Sequence, residues 1–223
     1  MKKFLLLLMV IALMVGTGCG KRHMQKVDPG VFNTSISEDE AVIVFFRGKG
    51  PFFSSGVAIA RFAFLGPIGY SSDATNFVLE LEENGNLKEV VLLEGNSKFL
   101  HKTTPGKHLY VAARGGPAGG DANFLEAELE AGKIYYVYIS HHFGGTSGRV
   151  AFVPVPVSEL ASEEFLTSYA NLDWYENKRG RLDYGKAYAN YKWFSARIAE
   201  YPTVSLEGKA LMGPEYGTDT PIQ

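Results

Sequence analysis

Two histidines near the middle of the chain have the residue type and spacing that could hold a metal ion. His101 and His108 stand on either side of a Pro-Gly pair, in a stretch that predicts two paired strands. On such a hairpin they would lie diagonally on one exposed face, and imidazole nitrogens bind zinc and other transition metals. A third ligand would be needed, and Asp121 or Glu126 could supply it, although no recognised ligand spacing is present. A metal site and ordinary surface histidines both remain open.

Two other catalytic patterns begin in this sequence and fail. The stretch 180–187 has the spacing of a phosphate-binding loop as far as Lys186, but Ala187 stands where a Ser or Thr must hold magnesium. Ser147 lies in a glycine-rich segment, yet Arg149 replaces the last glycine of a serine-hydrolase elbow. No glycine-rich dinucleotide-binding fingerprint follows a strand. The sequence therefore predicts no catalytic residue and no cofactor, and it favours a protein that is not an enzyme.

The single cysteine of the chain follows a signal for export. Two lysines precede an unbroken apolar run from Phe4 to Val15, and small residues lead directly to Cys19. A basic start, a short apolar run and a small-residue cleavage site predict a secretory signal over residues 1–18. The run is too short to span a bilayer, which needs about 20 apolar residues. A lone cysteine cannot close an internal disulfide, so Cys19 needs another use.

This start resembles the lipobox of bacterial lipoproteins, although Gly16 stands where those proteins usually have Leu. The resemblance implies that the sulfur of Cys19 receives diacylglycerol, that the signal is cut before it, and that the new amine is acylated. Several acyl chains hold a protein on a membrane, whereas one alone binds only marginally. In lipoproteins of this type, Asp directly after the cysteine is the usual signal for retention in the inner membrane. Gly20 at that position therefore favours the outer membrane, on its periplasmic side. Residues 19–39 are then a lipidated, polar tether.

The remaining composition is that of an ordinary globular domain. The net charge is −2 for the whole chain, and −4, from 20 basic and 24 acidic residues, once residues 1–18 are removed. This balance argues against nucleic acid as a partner. Glycines concentrate between apolar runs, as short strands joined by turns require. The sequence therefore predicts a mainly β domain over residues 40–157.

Two hairpins are predicted within that domain. Residues 76–82 alternate in polarity, residues 83–86 place Asn-Gly at the centre of a turn, and residues 87–94 return. Pro105-Gly106 suits the central positions of a type II turn and predicts a second hairpin. If Thr104 pairs with Lys107, one set of side chains faces the core: Leu100, Leu109, Val111 and Ala113. The other set is then exposed: His101, Thr103, His108 and Tyr110.

Later segments complete the predicted organisation. Residues 115–121 are predicted to be a loop, and 134–140, apolar on both faces, a central strand. Residues 149–157 are predicted to be an edge strand, because Pro154 and Pro156 cannot donate to a neighbour on the same side. A helical extension follows over 158–201, with its better helix over 185–201. Residues 202–223 read as loop or disorder.

The core of the domain carries a resemblance. The run "TTPGKHLYVAA" at Thr103–Ala113, followed by "LEAGKIYYVYI" at Leu129–Ile139, resembles bacterial lipoproteins of unknown function that carry a carboxypeptidase-regulatory-like domain. The strand Ala41–Arg47 also fits. The resemblance covers roughly residues 40–157 and implies an Ig-like antiparallel β-sandwich at the cell surface. It implies no reaction and no catalytic residue.

Aromatic residues in the C-terminal part suggest a binding surface. Helices rich in Tyr, Trp and Arg have the composition of interfaces, so Trp193 and Tyr188 are candidate contact residues beside a role in packing. The leading hypothesis is a membrane-anchored, non-enzymatic lipoprotein that binds another envelope protein or supports an envelope assembly. Two alternatives remain: an envelope carbohydrate-binding protein or hydrolase, and a periplasmic metal-binding module that uses His101 and His108.

Overall fold

The fold is built from two β-sheets. The structure, a computed structural model, describes residues 24–28, 36–48, 76–144, 147–178, 184–203 and 209–222, without the side chains of 141–144 and 147–149. The strands in these ranges are β1 (Met24–Lys26), β2 (Ala41–Arg47), β3 (Asn76–Leu81), β4 (Leu87–Leu93), β5 (Ser97–Thr103), β6 (Gly106–Gly116), β7 (Gly119–Leu129), β8 (Ile134–Gly144), β9 (Ser147–Pro154), β10 (Asp173–Asn177) and β11 (Lys209–Met212). The α-helices are α1 (Glu163–Ala170), α2 (Tyr184–Ala189) and α3 (Lys192–Glu200).

The two sheets are mixed in strand direction. One has six strands in the order β1-β10-β5-β2-β8-β9, and the other has five in the order β11-β7-β6-β3-β4. Strands make up 51% of the residues that the structure describes, so the mainly β prediction is confirmed. Most pairs are antiparallel, as expected, but β2 pairs with β8, β5 with β10 and β7 with β11 in parallel. Each of these pairs joins segments distant in sequence, and such long connections are what parallel pairing requires.

Buried apolar side chains form three layers. Between the sheets lies a cluster that includes Ile43, Tyr110 and Tyr135. On the outer face of the six-stranded sheet, α1 adds its own buried side chains to strands β2 and β8. On the outer face of the five-stranded sheet, α2 and α3 do the same for strands β3, β6 and β7. Both sheets are therefore covered on both faces, and this explains why β2 and β8 are apolar on both sides.

The first predicted hairpin is confirmed. Strands β3 and β4 pair antiparallel, with Leu81 opposite Leu87. Gly85 has a φ of 82°, which glycine adopts without steric cost. The turn is closed by the Asn86 N–H, which donates to Asn84 Oδ1 at 2.7 Å. The Asn-Gly pair thus fixes this turn locally, as the sequence predicts.

The second predicted hairpin is wrong. Strand β5 pairs with β2 and β10 in one sheet, whereas β6 pairs with β3 and β7 in the other. Pro105-Gly106 is therefore a corner that carries the chain between the sheets, and Gly106 has a φ of 124°. Because the two strands face each other across the core, the side chains expected to be exposed point between the sheets instead. Those expected in the core lie under the outer helices.

The strands that follow match the prediction in part. The predicted loop at 115–121 is the end of the β6–β7 hairpin, in which Gly116 lies opposite Gly119. Strand β8 lies between β2 and β9, so the central-strand prediction is confirmed. Strand β9 is at the edge of the six-stranded sheet, and Pro154 lies opposite Val137 at its end, so the edge prediction is also confirmed.

The C-terminal part differs from the single long helix expected over 185–201. Two helices replace it, because Tyr191 is extended, with φ −84° and ψ 118°, and begins α3 afresh. Asn190 donates its side-chain N–H to Lys186 O at 2.9 Å and closes the end of α2. The expectation of loop or disorder after 202 is also corrected, since β11 pairs with β7 and Thr218 forms a bridge with Ile134.

The predicted tether is partly folded. Residues 24–26 form β1, which pairs with β10 at the edge of the six-stranded sheet. The predicted signal sequence and Cys19 lie outside the described residues, as do the side chain of Ser147 and the first part of the phosphate-loop-like stretch. The polar stretch before the domain thus contributes a strand to it.

Candidate functional site

One end of the space between the sheets holds four side chains that can carry a charge or exchange a proton. They are Glu80 on β3, His101 on β5, and His108 and Tyr110 on β6. Strand alternation places them there, because Glu80 pairs with Tyr110 and His101 pairs with Ile43, and both partners lie in the core between the sheets. The two histidines therefore come together from opposite sheets, at the end near the corner.

His108 uses both of its ring nitrogens within the fold. Its Nε2 lies 2.8 Å from the Thr104 carbonyl oxygen, which can only accept, so Nε2 donates a proton. Its Nδ1 lies 2.7 Å from Glu80 Oε1, and both side chains are only about a tenth exposed, at 10% and 11%. Lys88 Nζ lies 3.6 Å from the other carboxylate oxygen of Glu80. The geometry is that of an imidazolium donating to a carboxylate.

The contact shifts both partners toward their charged forms. The hydrogen bond to Glu80 raises the pKa of His108 above its usual value of 6.5, against the opposing effect of burial. The hydrogen bond from His108 lowers the pKa of Glu80 below its usual value of 4.5, again against burial. The pair is therefore a nearly buried ion pair with an additional cation at its rim.

His101 and Tyr110 are buried beside this pair in a different way. His101 Nε2 and Tyr110 Oη are both buried, and within the described ranges His101 Nε2 has no hydrogen-bond partner. Burial lowers the pKa of His101 to about 4, and it raises the pKa of Tyr110 far above its usual range. The Tyr110 ring stacks on His108 and meets His101 edge-on, with centroids 5.8 Å and 5.9 Å apart. Both groups are held neutral by the core.

This arrangement favours charge burial over metal binding. His108 has no free nitrogen, because a carbonyl and a carboxylate occupy both. The suggested third ligands lie in other contacts, since Asp121 Oδ2 accepts from the Val150 N–H at 2.7 Å and Glu126 Oε1 pairs with Lys209 at 2.6 Å. Over the described ranges, no group of three His, Cys, Asp or Glu side chains could hold a metal ion.

The two aromatic contact candidates anchor α2 and α3 to the hairpin below them. Tyr188 is buried, and its hydroxyl donates to Gly115 O at 3.0 Å. Trp193 is half-buried, and its indole N–H donates to Gly116 O at 2.7 Å. A Cβ at Gly120 would collide with the Trp193 ring, so the glycine allows this close approach. The polar atoms of both residues are thus used inside the fold.

A buried lysine is a further titratable group, on the outer face of the other sheet. Lys98 on β5 is 6% exposed, and its Nζ donates to Tyr169 O near the end of α1 at 3.3 Å. The same Nζ lies 4.0 Å from the centre of the Tyr169 ring and 4.9 Å from that of Trp174. Burial lowers the pKa of Lys98 to about 8. A cation at a helix C-terminus is favourable, so this lysine positions α1.

An apolar cleft lies close by on the same outer face. Its walls come from β2, β5, β8, β10, α1 and residues 221–222, and include Val44, Leu100, Tyr136 and Trp174. The Ile222 N–H donates to Tyr136 Oη at 2.8 Å across one side of it. The lining is almost entirely apolar, whereas ligand sites usually add a few convergent polar groups to an apolar wall. The cleft is therefore an apolar contact between Pro221, Ile222 and the outer face of the six-stranded sheet.

Two members of the site were missed in the sequence, and one signal could have pointed to them. Glu80 stands in the alternating run of β3 on the same side as Val78, which is fully buried. Tyr110 stands on the same side of β6 as His108. A carboxylate that shares a strand face with a core valine would have indicated a buried partner of opposite charge. Lys98 gave no comparable signal, because its burial depends on α1, which is distant in sequence.

Comparisons of the chain with protein-family models, with curated proteins and with solved structures found no match. Within the ranges that the structure describes, no helix is both long enough and apolar enough to cross a bilayer.

Proposed function

We propose that this chain is a lipid-anchored protein of the bacterial cell envelope, whose β domain acts by binding another protein and catalyses no reaction. The observation that carries the proposal is the position of Cys19. It is the only cysteine of the chain, and it directly follows a basic start, a short apolar run and small residues. A thiol there has no internal partner and is well placed for lipid attachment.

The folded part of the chain supports the non-enzymatic half of the proposal. His108 has both ring nitrogens engaged, and His101 lies in the core as a neutral group. Tyr188 and Trp193 direct their polar atoms at backbone carbonyls of β6. A general base needs a free lone pair within reach of its substrate, and both ring nitrogens of His108 are already engaged. Their chemistry holds the domain together.

The finer fold assignment and location belong to the same proposal. We propose an Ig-like, carboxypeptidase-regulatory-like sandwich for residues 40–157, supported by two sheets with a shared core and by the edge position of β9. The parallel pairings of β2 with β8 and of β7 with β11 depart from a purely antiparallel arrangement. The proposed location is the outer membrane on its periplasmic side, supported by Gly20 in place of Asp.

A fractionation experiment tests the anchor. The full chain is produced in bacteria fed an alkyne-bearing fatty acid and is compared with Cys19→Ser. An azide-bearing dye is then coupled to the alkyne, so that lipidated protein is labelled. The native chain should carry the dye and sediment with membranes, and Cys19→Ser should lose both properties. His23→Ser, which keeps the sulfur, is the matched control and should behave as the native chain. Membrane association of correctly processed Cys19→Ser would refute the proposal.

The binding role has its own test. Cells that carry the membrane-bound chain are treated with a short cross-linker, and the chain is purified under denaturing conditions. One envelope protein should be recovered with the native chain, in an amount proportional to the amount of the chain. It should not be recovered with the Cys19→Ser variant, which is released from the membrane. Recovery of lipid or polysaccharide without protein would contradict this role.

A further inference from the structure

The first described strand begins only a few residues after the proposed lipid. Strand β1 starts at Met24, whose side chain is 1% exposed and lies in the core between the sheets. Only four residues, 20–23, separate it from Cys19. Even fully extended, the chain from Cys19 to Met24 reaches about 18 Å. That reach is similar to the radius of gyration expected for a domain of this size, about 16 Å.

Contacts with the rest of the domain hold strand β1 in place, so its residues do not extend this spacer. Its backbone pairs with β10, and the Val27 N–H continues the contact by donating to Trp174 O at 3.0 Å. Lys26 Nζ lies 2.7 Å from Asp173 Oδ1. The Glu94 N–H approaches the sulfur of Met24 at 3.4 Å. Lengthening the spacer would therefore require removing Met24 from the core and breaking this pairing.

We infer that the domain rests with its β1–β10 edge against the membrane, and that the surface it contacts is an anionic phospholipid bilayer. This inference depends on the lipid anchor proposed above. Lys21 and Arg22 follow Cys19 by two and three positions in the sequence. Basic residues next to a membrane anchor are attracted to anionic headgroups. On the edge itself, Asp173 is paired with Lys26, and Glu176 accepts from Gln25.

The opposite side of the domain then faces away from the bilayer. Strand β9 ends the six-stranded sheet on the side opposite β1, and β11 ends the five-stranded sheet beside it. With neighbouring strands about 4.8 Å apart, five spacings place β9 about 24 Å from β1. Leu211 on β11 is 50% exposed and marks this far side. The β9–β11 side is therefore the part of the domain farthest from the bilayer, where we expect a partner protein to bind.

Fluorescent labels on single cysteines test the orientation. Lipid occupies the only native cysteine, so a cysteine introduced at Gln25→Cys or Leu211→Cys is the sole free thiol of the mature chain. Each lipidated variant is labelled and placed in vesicles of phosphatidylglycerol and phosphatidylethanolamine that contain a headgroup quencher. The label at Gln25→Cys should be quenched at least twice as strongly as the label at Leu211→Cys. The matched control inserts 20 Gly and Ser residues after Gly20, and should remove the difference.

The outcomes separate this inference from the proposed function. Equal quenching at both positions in vesicle-bound protein, or stronger quenching at Leu211→Cys, overturns the orientation and leaves the lipid anchor intact. Failure of the native chain to float with the vesicles overturns both. The double variant Lys21→Ser with Arg22→Ser tests the lipid charge. In this variant, quenching of the label at Gln25→Cys should fall to the value measured in neutral phosphatidylcholine vesicles. An unchanged value would overturn the inference that the domain contacts an anionic bilayer.

Discussion

At the residue scale, the contact between Glu80 and His108 links the stability of the fold to pH. A raised histidine pKa gives stability that is complete below the unfolded value of 6.5 and is lost as the pH rises through the folded pKa. A lowered carboxylate pKa gives stability that is present above the unfolded value of 4.5 and is lost as the pH falls through the folded pKa. Both statements describe one interaction, which therefore contributes most between these two unfolded values.

Replacement of the carboxylate should reveal this contribution. Glu80→Gln leaves the His108 imidazolium without its counter-charge, and the free energy of unfolding should fall by about 1–3 kcal/mol near pH 5.5. The difference from the native chain should shrink as the pH rises through the raised pKa of His108. Urea unfolding at several pH values measures both effects. Glu128→Gln, the same change at an exposed position of β7, should cost less than about 0.5 kcal/mol. Equal costs for the two variants would contradict the assignment.

His101 should make the fold sensitive to acid in the opposite sense. Its folded pKa of about 4 lies below 6.5, so its stability contribution is complete above 6.5 and is lost as the pH falls toward 4. The separation corresponds to a loss of about 3 kcal/mol across that range. His101→Phe cannot protonate and gives up no hydrogen bond of Nε2, so it should unfold at higher urea than the native chain at pH 4. A difference between the two chains that stays constant from pH 7 to pH 4 would show that His101 is not held neutral.

At the element scale, side chains from neighbouring strands protect the sheet edges. On β9, the Val150 N–H donates to Asp121 and the Phe152 N–H donates to Asn123 Oδ1 at 3.2 Å. On β4, the side chain of Asn177 donates to the Val90 carbonyl at 3.0 Å. Unpaired strand edges invite pairing with other chains. These polar side chains occupy backbone groups that an additional strand would need.

Removal of one such side chain should destabilise the edge and promote association. Asn123→Ala leaves the Phe152 N–H buried without its acceptor, which should cost about 1–3 kcal/mol. Thermal unfolding measures the loss, and light scattering of the folded protein over days measures association. Glu128→Ala, at an exposed position of the same strand β7, is the control and should stay within about 0.5 kcal/mol of the native chain. An Asn123→Ala protein as stable and as monomeric as the control would show that the edge needs no such protection.

The elements also show which parts of the fold a sequence can predict. The Asn84-Gly85 turn is a local signal, because the conformation that Gly85 adopts itself brings the two strands together. Pro105-Gly106 gives a turn of equal quality, but nothing local decides whether its strands pair or enter different sheets. That decision depends on the pairing of β2 with β5, which joins distant segments. The sheet in which a strand lies is therefore the part that local patterns leave undetermined.

The candidate site inherits this limit. Alternation correctly grouped His101, His108 and Tyr110 on one side of their strands. Because Pro105-Gly106 is a corner between the sheets, that side faces the core and not the solvent. An apolar strand face usually marks the side that faces the core between the sheets. That rule fails here, because helices cover the outer faces and bury Val111 and Phe124 as fully as the side chains between the sheets. The grouping of His101, His108 and Tyr110 was predictable, whereas the place of Glu80 beside them and the burial of the site required the three-dimensional arrangement.

At the scale of the whole molecule, the helices and the sheets depend on each other. The ring of Phe46 packs against Phe165 and Tyr169 of α1. The ring of Phe77 packs against Tyr188 of α2 on the opposite outer face. Loss of either helical layer would expose a sheet face of aromatic and branched side chains, and large exposed apolar patches promote association. We therefore expect the sheets and the covering helices to unfold together.

The two tryptophans allow this cooperativity to be measured, because they lie on opposite outer faces. Trp174 packs against Tyr169 of α1, and Trp193 packs against Tyr188 and Phe194. Trp174→Phe leaves only the indole of the α2–α3 layer, and Trp193→Phe leaves only the indole of the α1 layer. In each variant, the fluorescence transition in urea should coincide with the loss of the far-ultraviolet circular dichroism of the sheets. Comparison within one variant removes any effect of the substitution on overall stability. A Trp193 transition that precedes the loss of strand signal would show that the C-terminal helices are a separate extension, and that the five-stranded sheet keeps its fold with one face uncovered.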